Sequence, residues 1–265
     1  MVADEFLYDL DLWLIFLVSI GVLVLSTELG FLLGRRAAPK TSDDARSQVG
    51  TIQGALLGLL ALLLGFTFAM AMSRFEVRKQ VLLDEANAIG TTFLRAQLLP
   101  EPQRQGIAEQ LRRYVQVRLM LYEAGTDAKK LEAAVDATTR LQQQLWSTAA
   151  ALGEKEPRAV TIGLFLQSLN EVIDLHAKRL TALENHVPEI ILILLYFVAL
   201  VATGLIGYGC GLGEVRNFLV TVAASILIAA VIIVIIDLDR PRRGLIRVSQ
   251  QRMVELRDTL EKKQP

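Results

Sequence analysis

From Gly50 to Met72 the chain carries no charge, and from Ser73 onward it turns charged without any residue that would end a helix. The run GTIQGALLGLLALLLGFTFAMAM passes directly into Ser73-Arg74-Phe75-Glu76-Val77-Arg78-Lys79 and then into VLLDEANAIGTTFLRAQLL, with no proline before Pro100. This predicts one long helix, Gly50 to Leu99, that starts in lipid and leaves it near Arg74. At ~1.5 Å per residue such a helix outruns a hydrocarbon core of ~30 Å. A rigid rod from bilayer to water can line a pore or carry a signal.

Three further blocks reach the ~20 apolar residues that a span requires: Leu12–Leu33, Val187–Cys210 and Phe218–Ile236. A lone strand in lipid would leave its backbone polar groups unsatisfied, so each span must be helical. The predicted class is all-α: a polytopic membrane protein with four transmembrane helices and a helical extramembrane domain between the second and third. Residues 1–73 form the first transmembrane pair and 74–186 a helical domain continuous with span two. Residues 187–236 form a second transmembrane hairpin, closed by a Gly-rich turn from Gly207 to Gly213, and 237–265 form the C-terminal tail. Acidic residues precede the first span and Gly34-Arg35-Arg36 ends it, so it does not read as a cleavable signal. A polar loop, Arg35 to Val49, is expected before span two.

In the middle region Pro100-Glu101-Pro102 breaks the long helix. A second helix, Pro102 to Ala124, carries Ile107, Leu111, Tyr114, Val115, Leu119 and Tyr122 at helical spacing and stops at Gly125. Asp127 caps a third that ends near Gly153, and Pro157 opens a fourth that runs to His186. Beyond DLDRPRRGLIRVS the chain closes in a polar helix or a frayed tail.

Basic residues set orientation. Arg74, Arg78, Lys79, Lys178, Arg179, Arg240, Arg242, Arg243 and Arg247 fall on one side of the membrane. Arg35, Arg36, Lys40, Arg46 and Arg216 fall on the other. The larger set places the middle domain and both termini in the cytoplasm of a cell whose inner membrane the protein spans. Basic and acidic residues balance at 28 each, so nothing in the overall charge points to nucleic acid. The lone Cys210 excludes an intrachain disulfide and reads as a packing residue.

Glu28 lies inside the first span, where an ionised group costs ~2.5–3.5 kcal/mol on insertion scales. It is either an ion-pathway carboxylate or a hydrogen-bonded contact nearer the interface, with Arg35 and Arg36 about two turns away. Gly58, Leu62 and Phe66 share one face of span two. That face is either a hydrophobic constriction that gates by dewetting or a packing face, with Gly54, Gly58 and Gly65 permitting close approach. Arg74 and Glu76 stand at its mouth. The charged group Arg74, Glu76, Arg78, Lys79, Asp84 and Glu85 reads as a solvated or inter-subunit face, and His176 with Asp174 and Glu171 as a solvated helix face. Neither histidine has metal-ligand spacing. There is no Walker loop, GxGxxG, HExxH or Ser-His-Asp ordering, so neither enzyme chemistry nor a cofactor or metal is expected.

Leu64-Gly65-Phe66 followed by Arg74-Phe75-Glu76-Val77-Arg78-Lys79 resembles the second span and exit of bestrophin channels, where an apolar neck helix ends in an Arg-aromatic element. Glu85–Pro100 (EANAIGTTFLRAQLLP) and Asp237–Ser249 (DLDRPRRGLIRVS) look more specifically like bacterial membrane proteins called bestrophin-like. The resemblance implies a homo-oligomeric ion channel, pentameric in bestrophins, with span two around a central pore for small inorganic ions. The neck positions carry over as Leu62 and Phe66, and the third falls on Gly58, where bestrophins have a bulky apolar residue. Of the acidic calcium clasp of animal bestrophins only Asp237 and Asp239 remain, beside Arg240 and Pro241, so calcium gating is not implied. Ion sign does not transfer, because members of the family differ in it. A second reading is a non-conducting membrane scaffold or sensor whose middle helices bind a protein partner.

Overall fold

The computed structural model describes residues 10–262, and among these it contains helices and no strand. Helix α1 spans Leu12–Ala37 and is followed by a 3-10 turn, Ala38–Lys40. Helix α2 is Asp43–Ala96, α3 Gln103–Glu123, α4 Ala128–Lys155 and α5 Val160–Glu184. Helix α6 is Glu189–Leu212, α7 Phe218–Asp239 and α8 Gln251–Lys262. Four of them, α1, α2, α6 and α7, contain the apolar stretches long enough to cross a membrane. The all-α polytopic class is as expected. The chain divides into two compact units: one takes in the residues up to Arg74 with His186–Arg240, the other Phe75–Asn185 with the residues from Pro241 onward.

Helix α2 runs unbroken for 54 residues and starts earlier than expected. The polar loop expected from Arg35 to Val49 shrinks to a short connection, because both neighbouring helices extend into it. α1 continues through Arg35 and Arg36, cations that favour a helix C-terminus, and Asp43 and Asp44 suit the first turn of α2. The Ser42 hydroxyl accepts from the Ala45 amide at 3.4 Å.

In the membrane unit α1 packs along α6, and also on α7, whereas α6 and α7 barely touch each other. The expected hairpin of the last two spans is therefore not a packed pair; α1 supplies the surface on which both lie. The glycines explain how. Gly207, Gly209 and Gly211 do not form the expected turn, since α6 continues to Leu212 and the turn falls on Gly213 to Asn217. A Cβ on Gly207 would collide with the Thr27 carbonyl, one on Gly211 with that of Phe31, one on Gly30 with that of Gly204 and one on Gly34 with that of Tyr208. Two backbones thus meet where side chains are absent, as expected in lipid, where close packing replaces the hydrophobic drive. Two polar contacts reinforce the seam. The Ser26 hydroxyl donates to the Leu200 carbonyl at 2.8 Å, and the Ser19 and Tyr196 hydroxyls lie 2.7 Å apart.

The second unit is a helical bundle built on Ile89 and Phe93 of α2, Leu111 and Tyr114 of α3, Leu145 of α4 and Phe165 of α5. Asp127 caps α4, its Oδ1 accepting from the Lys129 and Lys130 amides at 3.1 and 3.2 Å. Gly125 ends α3 in the left-handed conformation, φ 55°, which glycine adopts without steric cost. The C-terminal end is a packed helix: α8 buries Met253 and Leu260 in this core, and Arg112 Nε donates to the Leu260 carbonyl at 3.0 Å.

Adding a side chain at the α1–α6 seam should destabilise the membrane unit. Gly207→Val is expected to cost at least the ~1–3 kcal/mol of an overpacked core and to lower the thermal midpoint of the detergent-solubilised protein. Gly21→Val, where a Cβ meets nothing within 4 Å, should leave that midpoint unchanged.

Candidate functional site

The predicted neck face lies on the part of α2 that its own chain covers least. Leu62 is 55% exposed and Phe66 65%, and Gly58 is exposed as well. Between Gly50 and Met72 only Leu60, Thr67 and Ala71 are buried. Gly54, Gly58 and Gly65 have nothing within 4 Å of the position a Cβ would take, so these glycines serve no close packing within the chain. They differ in this from the glycines of the α1–α6 seam.

At the mouth, Arg74 is half-buried, and its Nε is enclosed without a hydrogen-bond partner. Glu76 is exposed and faces Lys79 at 3.6 Å, one turn on. Such a surface pair contributes ~0–1 kcal/mol, which leaves both side chains available to other charges.

Glu28 pairs with Arg216 of the α6–α7 connection, its Oε2 accepting from Nη2 at 3.1 Å, rather than with Arg35 or Arg36. The Arg216 guanidinium also lies over the Phe31 and Phe218 rings, at 5.8 and 5.7 Å from their centroids. At the other end of α7, Asp237, Asp239 and Arg240 are buried. Asp239 Oδ2 accepts from the Val187 amide at 2.7 Å, and His186 Nδ1 lies 3.1 Å from the Asp239 carbonyl. Asp239 thereby ties the end of α7 to the start of the third span, where Pro188 precedes α6. Pro241 belongs to the second unit.

The second unit holds a charged constellation that the sequence reading placed on its surface. Glu85 is fully buried in a clasp of two arginines. Arg118 of α3 donates from Nε to Oε1 at 2.7 Å and from Nη2 to Oε2 at 3.3 Å. Arg179 of α5 donates from Nη1 to Oε2 and from Nη2 to the Gln250 side chain at 2.9 Å. Nearby, the Tyr114 hydroxyl accepts from Gln142 Nε2 at 3.1 Å. Arg78, also expected on a solvated face, is buried; it donates from Nε to the Ala182 carbonyl at 3.1 Å and from Nη2 to that of Asn185 at 2.7 Å. His176 is buried too, with no hydrogen bond at Nδ1. The charged pattern misled because charges three and four apart on a helix look alike whether they face water or a partner. The partners that decide the matter are 33 and 94 residues from Glu85.

Burial works against the Glu85 carboxylate, but the two guanidinium groups outweigh it and hold the pKa below its ordinary value. The Tyr114 phenol is pushed up by burial, with the Glu85 charge adding to the effect. Burial first, and then the Arg118 charge, lower His176 to about 4. The histidine is therefore neutral at pH 7. Among the described residues no three His, Cys, Asp or Glu side chains are grouped as a metal site.

A family model for the bestrophin-like domain matches residues 21–253. The chain belongs to the bestrophin-like family. No curated protein matches it in sequence. Among solved structures, a bacterial bestrophin homologue from Klebsiella pneumoniae superposes with a TM-score of 0.62 at 16% identity, over 90% of this chain and 97% of that one. A variant of a Klebsiella pneumoniae bestrophin homologue gives 0.64 at 17% identity, over 93% and 95%. A further crystal structure, of a membrane protein variant, gives 0.66 at 15% identity, over 93% and 97%. At these identities the likeness is one of fold.

In this bestrophin-like protein the Glu85 clasp joins α2, α3 and α5 of the second unit, and its loss should be costly. Arg118→Met would leave Glu85 facing Arg179 alone, an expected destabilisation of ~3–5 kcal/mol by chemical unfolding. Acid should weaken the unit in two stages. A histidine that titrates near 6.5 unfolded and about 4 folded takes up its proton more readily when unfolded. Its burial therefore lowers stability progressively as pH falls from 6.5 towards 4, and His176→Gln should flatten the profile in that window. Glu85 contributes in full above its ordinary 4.5, and that contribution is lost as pH falls below it.

Proposed function

We propose that this protein is an oligomeric ion channel of the bacterial inner membrane, with α2 lining a hydrophobically gated pore. The observation that carries the reading is the uncovered face of α2. Leu62 and Phe66 stand more than half exposed on a helix that packs sparsely within its own membrane unit. Lipid alone can cover such a face, but copies of α2 around an axis would bring each ring of Leu62 and Phe66 together as an apolar constriction. Narrow apolar constrictions gate by shedding water. The family assignment and the fold shared with bacterial bestrophin homologues support the same arrangement. A five-fold ring is the assembly the bestrophin resemblance favours. The middle domain then forms a cytoplasmic vestibule, in which rings of Arg74 and Glu76 focus potential and bias the permeant ion.

Gly58 departs from a bulky neck residue and shortens the constriction by one turn, so two rings rather than three set the barrier. Glu28 on α1 is held by Arg216 of the α6–α7 connection and in this reading has no part in the gate. The scarcity of polar groups between Gly50 and Met72, where Thr51, Gln53 and Thr67 stand among mostly apolar residues, is what favours a non-conducting scaffold instead.

Flux measurements in liposomes separate the two. With chloride and potassium gradients in turn, Phe66→Ala should raise flux severalfold over the wild type, because a smaller ring is wider and wetter. Arg74→Glu should change the ratio of chloride to potassium flux. A protein that inserts correctly and conducts neither ion, with or without the substitution, would remove the channel reading and leave the scaffold.

A further inference from the structure

The membrane unit contains a gap that its own packing leaves open. Leu60, Thr67 and Ala71 are buried on one side of α2, the side turned away from Leu62. Ala71 follows Leu62 by about two and a half turns, and Gln53 precedes it by the same interval, so Gln53 continues that side towards the start of the helix. There the cover opens. Between the start of α2 and the end of α6 lies a cavity of about 460 Å³, within the ~300–1,000 Å³ usual for ligand sites. Gln53 reaches across to α6, its Oε1 2.9 Å from where a Cβ on Gly209 would stand.

The lining is divided by polarity. Val49, Ile206 and Leu212 give it an apolar wall, Arg46, Gln53 and Asn217 are polar, and no carboxylate takes part. Arg46 stands about one turn before Gly50, where the uncharged run begins, so the cavity straddles the boundary between hydrocarbon and headgroups. Arg46 is exposed and donates one hydrogen bond, from Nη2 to the Ala38 carbonyl at 3.3 Å, and forms no ion pair among the described residues. Asp43, Asp44 and Glu214 are near in sequence but outside the lining. Water suits the apolar wall poorly, and a second copy that met α2 at Leu62 would approach from the opposite side. A phospholipid suits both parts of the lining: an acyl chain covers the wall and a phosphate accepts from the guanidinium. No lining carboxylate is there to hold an ammonium headgroup, which favours an anionic lipid over a zwitterionic one.

We propose that this cavity binds an anionic phospholipid, with the phosphate at Arg46 and Asn217 and an acyl chain along Val49, Ile206 and Leu212. The site lies on the side of α2 opposite the Leu62–Phe66 face and does not depend on conduction. An occupant would bridge the start of α2 and the end of α6, so the lipid composition of the bilayer would tune how firmly the two are held together.

Cys210, the lone thiol, also lines the cavity and reports on its occupancy. The test uses the full chain in nanodiscs of phosphatidylcholine with a rising fraction of phosphatidylglycerol, and follows alkylation of Cys210 by an uncharged, water-soluble maleimide. Phosphatidylglycerol should slow the reaction severalfold and with saturation. Arg46→Gln should react as the wild type does in phosphatidylcholine alone, which shows the fold intact, and should need at least tenfold more phosphatidylglycerol for the same protection. Lys40→Gln, an equal loss of charge outside the lining, should keep the protection of the wild type. It thereby separates a bound lipid from the general effect of an anionic surface. Native mass spectrometry of the wild type should show phosphatidylglycerol retained in preference to phosphatidylcholine. A rate that does not depend on lipid, as in a water-filled cavity, overturns the proposal. So does equal protection by both lipids, or protection that Arg46→Gln leaves intact.

Discussion

The ion pair of Glu85 with Arg118 and Arg179 is the constraint on which the extramembrane unit depends. A carboxylate with no solvent exposure tolerates burial only if its charge is answered, and here three helices and the side chain of Gln250 take part in the answer. Such a cluster adds little net stability over an apolar core of the same shape, because desolvation offsets most of the attraction. Its effect is on arrangement. A slip of α2 against α3 or α5 would strand a buried charge, so the rotation of α2 about its own axis is fixed within this unit. Arg78 adds to the constraint by satisfying two carbonyls near the end of α5.

One helix therefore has two very different environments along its length. Beyond Phe75 it is embedded, with Leu82, Ile89 and Phe93 in a packed core. Before Arg74 it is the membrane helix least covered by its own chain, while α1 sets Gly30 and Gly34 against α6. Close backbone contact is the device that holds helices together in lipid, and in this chain it is used on the α1–α6 seam. What α2 offers instead is a stripe of Leu and Phe side chains, suited to meeting copies of itself.

The architecture was legible because its signals are local. Run length gave the spans, Pro100-Glu101-Pro102 and Gly125 gave the breaks, and Asp127 gave a cap. The misreadings have one origin. Gly207 to Gly213 reads as a turn because glycine permits both a bend and a close helix crossing; the facing backbone of α1 makes Gly207 and Gly211 a crossing, and the bend begins only at Gly213. Glu85 and His176 looked solvated because their charged neighbours at helical spacing do not reveal which face is covered. Arg118 was passed over altogether, although a cation flanked by Val115 and Leu119 on an otherwise apolar stripe was the available signal. The neck face was visible as a four-residue spacing, but a single chain carries no sign of what lies opposite it.

The central claim is that α2 faces its own copies across Leu62. Disulfide trapping tests it directly, in a Cys210→Ser background that removes the lone native thiol. With Leu62→Cys, mild oxidation of protein in liposomes should give covalent oligomers, whereas Leu17→Cys on the exposed side of α1 should remain monomeric. Monomer from both, with both thiols reactive, would place Leu62 against lipid and contradict the account.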